Sequence, residues 1–186
     1  MGTRGNKPEI IFLCGFSGSG KTEMGENLAQ KLNYAFTDTD SVIEEHMGKT
    51  IPEIFARFGE AKFRFAENDA IRMACMNRPQ VIALGGGAIH DKYMLEYIKS
   101  NGYLIYLRTT PETIYNRLQD SHIRPMLQVL HKDEEPDENK VMERIKQLLN
   151  EREEIYLGAD KVIDTENKSC EDIAREINNI WGNDDK

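Results

Sequence analysis

Four sets of residues in this sequence have types and spacings that can do chemistry. The most specific is Gly15-Phe16-Ser17-Gly18-Ser19-Gly20-Lys21-Thr22, which fits G-x-x-x-x-G-K-[ST], the loop that cradles the phosphates of a nucleoside triphosphate. Its glycines let the backbone aim N–H groups at phosphate oxygens, and the helix start that follows adds partial positive charge. Lys21 can reach the β- and γ-phosphates, and the Thr22 hydroxyl suits Mg²⁺. The second set is Asp38 and Asp40. In an extended chain, residues two apart face the same way, so two carboxylates at a strand tip can divide two jobs, one near a metal ion and one near a reacting hydroxyl. A solvated acidic turn is the plain alternative.

Gly85-Gly86-Gly87 is the third set. Three glycines in a row are entropically costly. Close approach of a ligand to the backbone would explain them, and a flexible turn is the other reading. The fourth set is made of arginines. Counted at about 100° per residue from Val141, Ile145 falls near +40°, Leu148 near −20° and Arg152 near +20°, so Arg152 lies inside the apolar stripe of its helix. A desolvated guanidinium needs an anion, either an internal carboxylate or one on a ligand. Arg64 sits at the edge of a similar face, with Glu67 three residues on to orient it. Arg117 and Arg124 bracket the start of a long loop. His46, His90, His122 and His131 show no ligand spacing and are assigned no role.

The elements that must hold these residues are legible in the hydrophobic pattern. Ile10–Cys14 is a short apolar, β-branched run, read as a buried parallel strand, and Met24, Leu28 and Leu32 recur at helical spacing after the loop. Tyr34-Ala35-Phe36 reads as a second strand running into Thr37–Asp40. Thr50 and Glu53 form a capping box for a short helix that Gly59 breaks, and a longer helix follows from Glu60 to about Met76. Strands at Val81–Leu84, Tyr103–Leu107 and Lys161–Asp164 alternate with helices over Met94–Ile98, from Pro111, over Val141–Ile155, and from Ser169 through Trp181. Strands alternating with helices imply an α/β doubly wound sheet in one domain spanning 1–186, with ligands beyond the carboxyl ends of the strands. Residues 119–138 lack periodicity and read as a lid; residues 1–8 and 182–186 read as loose ends.

Bulk composition excludes several classes. The 186 residues are 39% hydrophobic and 30% charged with a net charge of −8, which suits a soluble globular protein and argues against generic binding to nucleic acid or anionic membrane. Cys14, Cys75 and Cys170 are widely spaced, with no C-x-x-C, against a disulfide framework or a zinc site. There is no apolar signal core at the N-terminus and no run near the roughly 18 residues of a membrane span. A cytoplasmic monomer acting on small molecules is expected. Because a triphosphate is anionic, the site must concentrate cations against the overall charge.

Taken together, GFSGSGKT, D-T-D at 38–40, FRFAE at 63–67, LGGGA at 84–88, RPML at 124–127 and REEIY at 152–156 make the chain resemble shikimate kinase from about Ile10 to Trp181. The loop alone is shared by many kinases; the ordered set is far more specific. The resemblance implies a P-loop fold like that of the nucleoside-monophosphate kinases, a five-stranded parallel sheet flanked by helices with a mobile lid. It also implies transfer of phosphate from ATP, with Mg²⁺, to the 3-hydroxyl of shikimate, a step of chorismate and aromatic amino acid biosynthesis. It makes Asp40, Arg64, Gly86 and Arg152 shikimate contacts, the arginines on the carboxylate and Asp40 on the hydroxyls, with Phe55 and Phe63 lining the pocket. Gly18, Ser19, Gly20, Lys21, Thr22 and Glu23 would bind ATP. Arg117 would lie against the adenine with Lys168 near it, and Arg124 would be the lid arginine on the phosphates. Thr22 and Asp38 would serve the metal, Asp38 through water, and Lys21, Asp40 and Arg124 would be catalytic.

Three features depart from the family pattern: the long acidic segment after Met126, Cys170 where some members have proline beside the adenine, and Phe65 where others carry a charge. Two other functions compete. A different small-molecule kinase such as a gluconate kinase would share the P-loop but lack the triple glycine with paired arginines. A guanine-nucleotide switch would carry Asn-Lys-x-Asp, and Asn167-Lys168-Ser169-Cys170 lacks the aspartate.

Overall fold

A computed structural model describes residues 7–119 and 137–181. Strand β1 (Ile10–Cys14) is buried at all of its positions, which is why its sequence is continuously apolar: both of its faces are covered. Helix α1 (Lys21–Leu32) starts at Gly20 and buries Met24, Leu28 and Leu32. Then follow β2 (Ala35–Asp38), α2 (Thr39–Met47), α3 (Ile51–Ala74), β3 (Gln80–Ala83), α4 (Lys92–Asn101), β4 (Tyr103–Arg108), α5 (Pro111–Gln119), α6 (Glu138–Tyr156), β5 (Lys161–Asp164) and α7 (Cys170–Asn179). The strands form one five-stranded sheet in the order β2-β3-β1-β4-β5, every pairing parallel. The chain adds β2 and β3 on one side of β1 and β4 and β5 on the other. The loop after β1 therefore opens at the point where the winding reverses, the position at which such sheets bind ligands.

Alternation along the central strand divides the core. Ile10, Phe12 and Cys14 pack with Ile71 of α3, Met94 and Ile98 of α4 and Tyr156 of α6. Ile11 and Leu13 pack on the other face with Met24 and Leu28 of α1 and Ile173 and Ile177 of α7. Two satellite clusters carry the site. Phe16 joins Ile114 and Leu118 of α5 to Val141, Ile145 and Leu148 of α6, and Ile43 of α2 meets Ile54, Phe63 and Ala70 of α3.

The sequence reading is corrected in two places. Helix α2 was not expected. It buries only Thr39 and Ile43, too few apolar positions to mark a stripe, and its start was read as a strand tip. The break expected at Gly59, by contrast, is present: the helical backbone of α3 is interrupted there, with Gly59 at φ 78°, ψ 169°. The break is thus a kink at a backbone conformation that glycine adopts freely, and the Thr50–Glu53 capping box is present. The expectation of loose ends fails at Lys7 and Pro8: the Tyr34 hydroxyl donates to the Pro8 carbonyl at 3.1 Å, and Lys7 lies over the Tyr34 ring. Of the expected lid, Gln119 ends α5 and Asp137 caps α6 by accepting from the Asn139 N–H at 2.9 Å. Residues 120–136, including Arg124, lie outside the described residues, as do 1–6 and 182–186.

Candidate active site

The loop between β1 and α1 takes its shape from residues that tolerate positive φ. Gly18 and Gly20 stand at φ 81° and 88°, where a side chain would be strained, and the Ser19 N–H donates to Phe16 O at 3.1 Å to close the turn. Lys21 Nζ donates to the Gly15 and Phe16 carbonyls at 3.0 and 2.9 Å, so its ammonium is folded over the loop that it would serve. Burial pulls its pKa down, and the charges of Asp40 and Asp38 oppose that fall. Ser19 Oγ is buried and has no hydrogen-bond partner among the described residues, a costly state for a hydroxyl. Arg117 Nη1 donates to Gly18 O at 3.1 Å, which lays a second cation on the loop from α5. Glu23, in the first turn of α1, stands near Cys170, whose thiol is pushed up by burial and then by this carboxylate. Lys168 is ion-paired with Glu176 at 2.6 Å.

The two aspartates stand in different environments, and not by the geometry expected. Asp38 ends β2 and caps α2, its Oδ1 accepting from the Asp40 and Ser41 N–H groups at 3.0 and 3.2 Å. Its Oδ2 accepts from the Thr22 hydroxyl at 2.7 Å. Asp40 is already in the first turn of α2, so the pair is a cap and a helical residue, not two neighbours on one strand face. This separates their environments. Asp38 is held by three donors, whereas burial and the neighbouring charge of Asp38 push the Asp40 carboxyl up to about 6, with Lys21 partly offsetting the rise. An oxygen pair such as Thr22 and Asp38 fits a hard divalent cation. A carboxylate with a raised pKa suits proton acceptance near neutral pH.

The triple glycine has a reason that the sequence did not disclose. A Cβ on Gly85 would stand 2.4 Å from Asp40 Oδ1, one on Gly86 would stand 3.1 Å from the Ser17 N–H nitrogen, and one on Gly87 would stand 3.2 Å from Arg64 Nη1. The close approach is by the protein's own groups: the three residues wedge Asp40, the phosphate loop and Arg64 together. None of the three has positive φ, so packing, not turn geometry, requires glycine here. Thr39, fully buried, ties the loop to α2 by accepting from the Gly85 N–H at 2.9 Å.

Both arginines hang on this loop. Arg64 Nη1 donates to Gly87 O at 2.9 Å and to Glu67 at 2.6 Å, and its Nη2 reaches Glu60 at 3.3 Å. Glu67 is 1% exposed; burial pushes its carboxyl up while Arg64 holds it down. Arg152 Nη1 donates to Gly86 O at 2.9 Å, and its guanidinium lies 5.6 Å from the Phe16 ring centroid. The internal-carboxylate reading therefore holds for Arg64 and fails for Arg152, which makes no ion pair among the described residues. Phe55 and Phe63 pack 4.4 Å apart, with Arg64 over the Phe63 ring. Sequence reasoning missed Phe16, Thr39 and Tyr156, because their types belong equally to any core or loop. A separate cavity of about 450 Å³ lies between the β4 and β5 ends and α6, but its Arg108 is already paired with Asp164 at 2.5 Å. Among the described residues, Asp40, Arg64 and Arg152 converge instead around Gly85–Gly87.

A lysine-bearing phosphate loop at the reversal point of a five-stranded parallel sheet, faced by carboxylates and by cations on a neighbouring loop, defines a P-loop phosphotransferase of the nucleoside-monophosphate-kinase type. The family model described as "Shikimate kinase" matches residues 17–181. The chain is 41% identical to shikimate kinase of Thermodesulfovibrio yellowstonii over 167 residues, covering 90% of this chain and 91% of that one. It is equally 41% identical to that of Chlorobaculum tepidum, covering 90% of each. A solved structure of the Acinetobacter baumannii enzyme in complex with shikimate superposes with a TM-score of 0.84 at 33% identity, covering 96% of both chains. That of Bacteroides thetaiotaomicron gives 0.84 at 30%, covering 93% of this chain and 98% of that one. The chain belongs to the shikimate kinase family.

Proposed function

We propose that this protein transfers the γ-phosphoryl group of ATP to the 3-hydroxyl of shikimate. The observation that carries the acceptor reading is Arg152, a half-buried guanidinium beside the phosphate loop that has a carbonyl and a ring for neighbours and, among the described residues, no carboxylate within ion-pair distance. A monoanionic carboxylate acceptor supplies the missing partner, bridged between Arg152 and Arg64 in charge-assisted hydrogen bonds. The acceptor's ring rests on Phe55 and Phe63. In the transfer, the bond from the hydroxyl oxygen to the γ-phosphorus forms as the bond between that phosphorus and the β–γ bridging oxygen breaks. The hydroxyl proton passes to Asp40, which the surrounding burial keeps basic enough to take it.

Gly18, Ser19, Gly20, Lys21 and Thr22 cradle the phosphates, and Lys21 leaves the Gly15 and Phe16 carbonyls to bind charge that grows during transfer. Arg117, Glu23 and Lys168 lie on the nucleoside side. Thr22 and Asp38 are the residues that would hold Mg²⁺, Asp38 through water; the ion, when bound, neutralises β- and γ-phosphate charge. Segment 119–138 serves as the lid and Arg124 as its phosphate contact. The protein works as a single-domain monomer in the cytoplasm on small molecules alone; among the described residues no helix is long and apolar enough to cross a membrane.

The test is ADP release from ATP and Mg²⁺ with shikimate, gluconate or AMP as acceptor. Shikimate alone should stimulate it. Stimulation by gluconate or AMP instead would replace the acceptor assignment, and a Lys21→Ala enzyme turning over at the wild-type rate would end the kinase reading.

A further inference from the structure

One carbonyl in the triple-glycine loop receives two donors from the same helix face. Gly86 O accepts from Arg152 Nη1 at 2.9 Å and from the Tyr156 hydroxyl, four residues further along α6. The next carbonyl, Gly87 O, accepts from Arg64. The two arginines are therefore spaced by consecutive carbonyls of a single strip of backbone: the Gly86–Gly87 peptide carries the oxygen that holds Arg152, and the next peptide, Gly87–Ala88, carries the one that holds Arg64. The Gly86–Gly87 peptide is planar, so a donor that holds its oxygen restrains rotation of the whole unit and, through Gly87, of the peptide that follows.

Of the three donors, the arginines are the ones that a ligand carboxylate would draw away. Tyr156 cannot follow them. It is 2% exposed, and its ring packs 5.0 Å from that of Tyr106 of β4, whose own hydroxyl donates to Glu153 at 2.9 Å. Burial raises the Tyr156 phenol to about 12, so it stays a protonated donor throughout the working range. When Arg152 turns to a carboxylate, Tyr156 is the donor still holding the Gly86 oxygen.

We propose that Tyr156 is a positioning residue for the acceptor: its hydroxyl pins the Gly86 carbonyl and so holds the glycine loop and Arg152 in register for a carboxylate, without touching the ligand. This rests on the shikimate reading of the same site. Tyr156→Phe keeps the ring against Tyr106 and leaves Arg152 on Gly86 O, so the fold stands. The loss of one hydrogen bond should raise the shikimate KM by about 3–10-fold, with kcat and the ATP KM each within about twofold. Tyr106→Phe, which removes the neighbouring hydroxyl of the same ring pair, should leave all three constants within about twofold. On an Arg152→Lys background, Tyr156→Phe should add less than about twofold, since the residue acts through Arg152.

A shikimate KM unchanged by Tyr156→Phe overturns the proposal. So does a parallel rise in the ATP KM, an equal effect of Tyr106→Phe, or a full multiplicative loss on the Arg152→Lys background. Wild-type enzyme whose ADP release ignores shikimate would overturn the reading of the site, and the proposal with it. Wild-type activity on shikimate with Tyr156→Phe unaffected would overturn the proposal alone.

Discussion

Arg152→Ala is the perturbation whose outcome the structure constrains most tightly. In the free protein, the guanidinium gives a hydrogen bond to Gly86 O and covers the Phe16 ring, and among the described residues it meets no carboxylate within ion-pair distance. Removing it leaves no buried charge behind in the free enzyme, because Gly86 O keeps Tyr156 as a donor. The fold should accordingly lose little, about 1 kcal/mol for the packing of Phe16 and one hydrogen bond. In the acceptor complex the balance differs, since a carboxylate loses a charge-assisted partner in a partly desolvated site. Such truncations cost about 2–5 kcal/mol, and the half-exposed setting places this one at the lower end. A loss of about 2–3 kcal/mol corresponds to a shikimate KM raised roughly 30–150-fold. The assay is steady-state ADP release with each substrate varied in turn, together with a thermal melt. The ATP KM should stay within about twofold. A matching rise in both KM values, or a melt collapsing with the acceptor affinity, would show that Arg152 is structural and refute the argument.

Arg64→Ala should behave differently, because it strands Glu67, 1% exposed and bonded to Arg64 at 2.6 Å. Breaking a buried pair costs about 3–5 kcal/mol, so this variant should melt well below wild type, and adding Glu67→Gln should recover most of the melt but not the shikimate affinity; failure of the double variant to recover would deny the pair its structural weight. For Asp40, the folded-state pKa of about 6 lies above the ordinary value of 3.8. Its ionisation thus opposes folding: stability present below pH 3.8 is lost as the pH rises through about 6. Asp40→Asn should therefore stabilise the protein at neutral pH by about 1–3 kcal/mol while lowering kcat about 10²–10⁴-fold, and wild-type kcat should fall on the acid side of about pH 6. An Asp40→Asn enzyme with full turnover contradicts the base assignment. Thr22→Val removes the hydroxyl facing Asp38 and should raise the Mg²⁺ concentration needed for half-maximal rate about tenfold or more; an unchanged requirement would remove Thr22 from the metal site.

Periodicity made most of the fold legible. The buried strands announce themselves because both faces are covered and their sequences are apolar throughout, and α6 could be oriented well enough to put Arg152 on its inner face. Helix α2 escaped because it buries two residues in nine, and its opening Asp38 served equally well as a strand end and as a helix cap. The phosphate loop was legible because its chemistry needs a fixed spacing within one segment. The triple glycine was legible as an anomaly but not as to cause: the groups that crowd it come from α2, α3 and the phosphate loop, which only the folded chain brings together. Tyr156 was invisible for the same reason. Its helix places the ring on the inner face, but nothing there marks the carbonyl 70 residues away in sequence that its hydroxyl meets.

The most direct measurement of the central claim is the structure of the product. Protein, Mg²⁺, ATP and shikimate are incubated, and the organic phosphate is examined by phosphorus–proton correlation NMR. The account predicts one new phosphate ester, coupled to the proton on carbon 3 of shikimate, appearing in step with ADP. ADP formed with inorganic phosphate and no ester, or an ester on another hydroxyl, would contradict it.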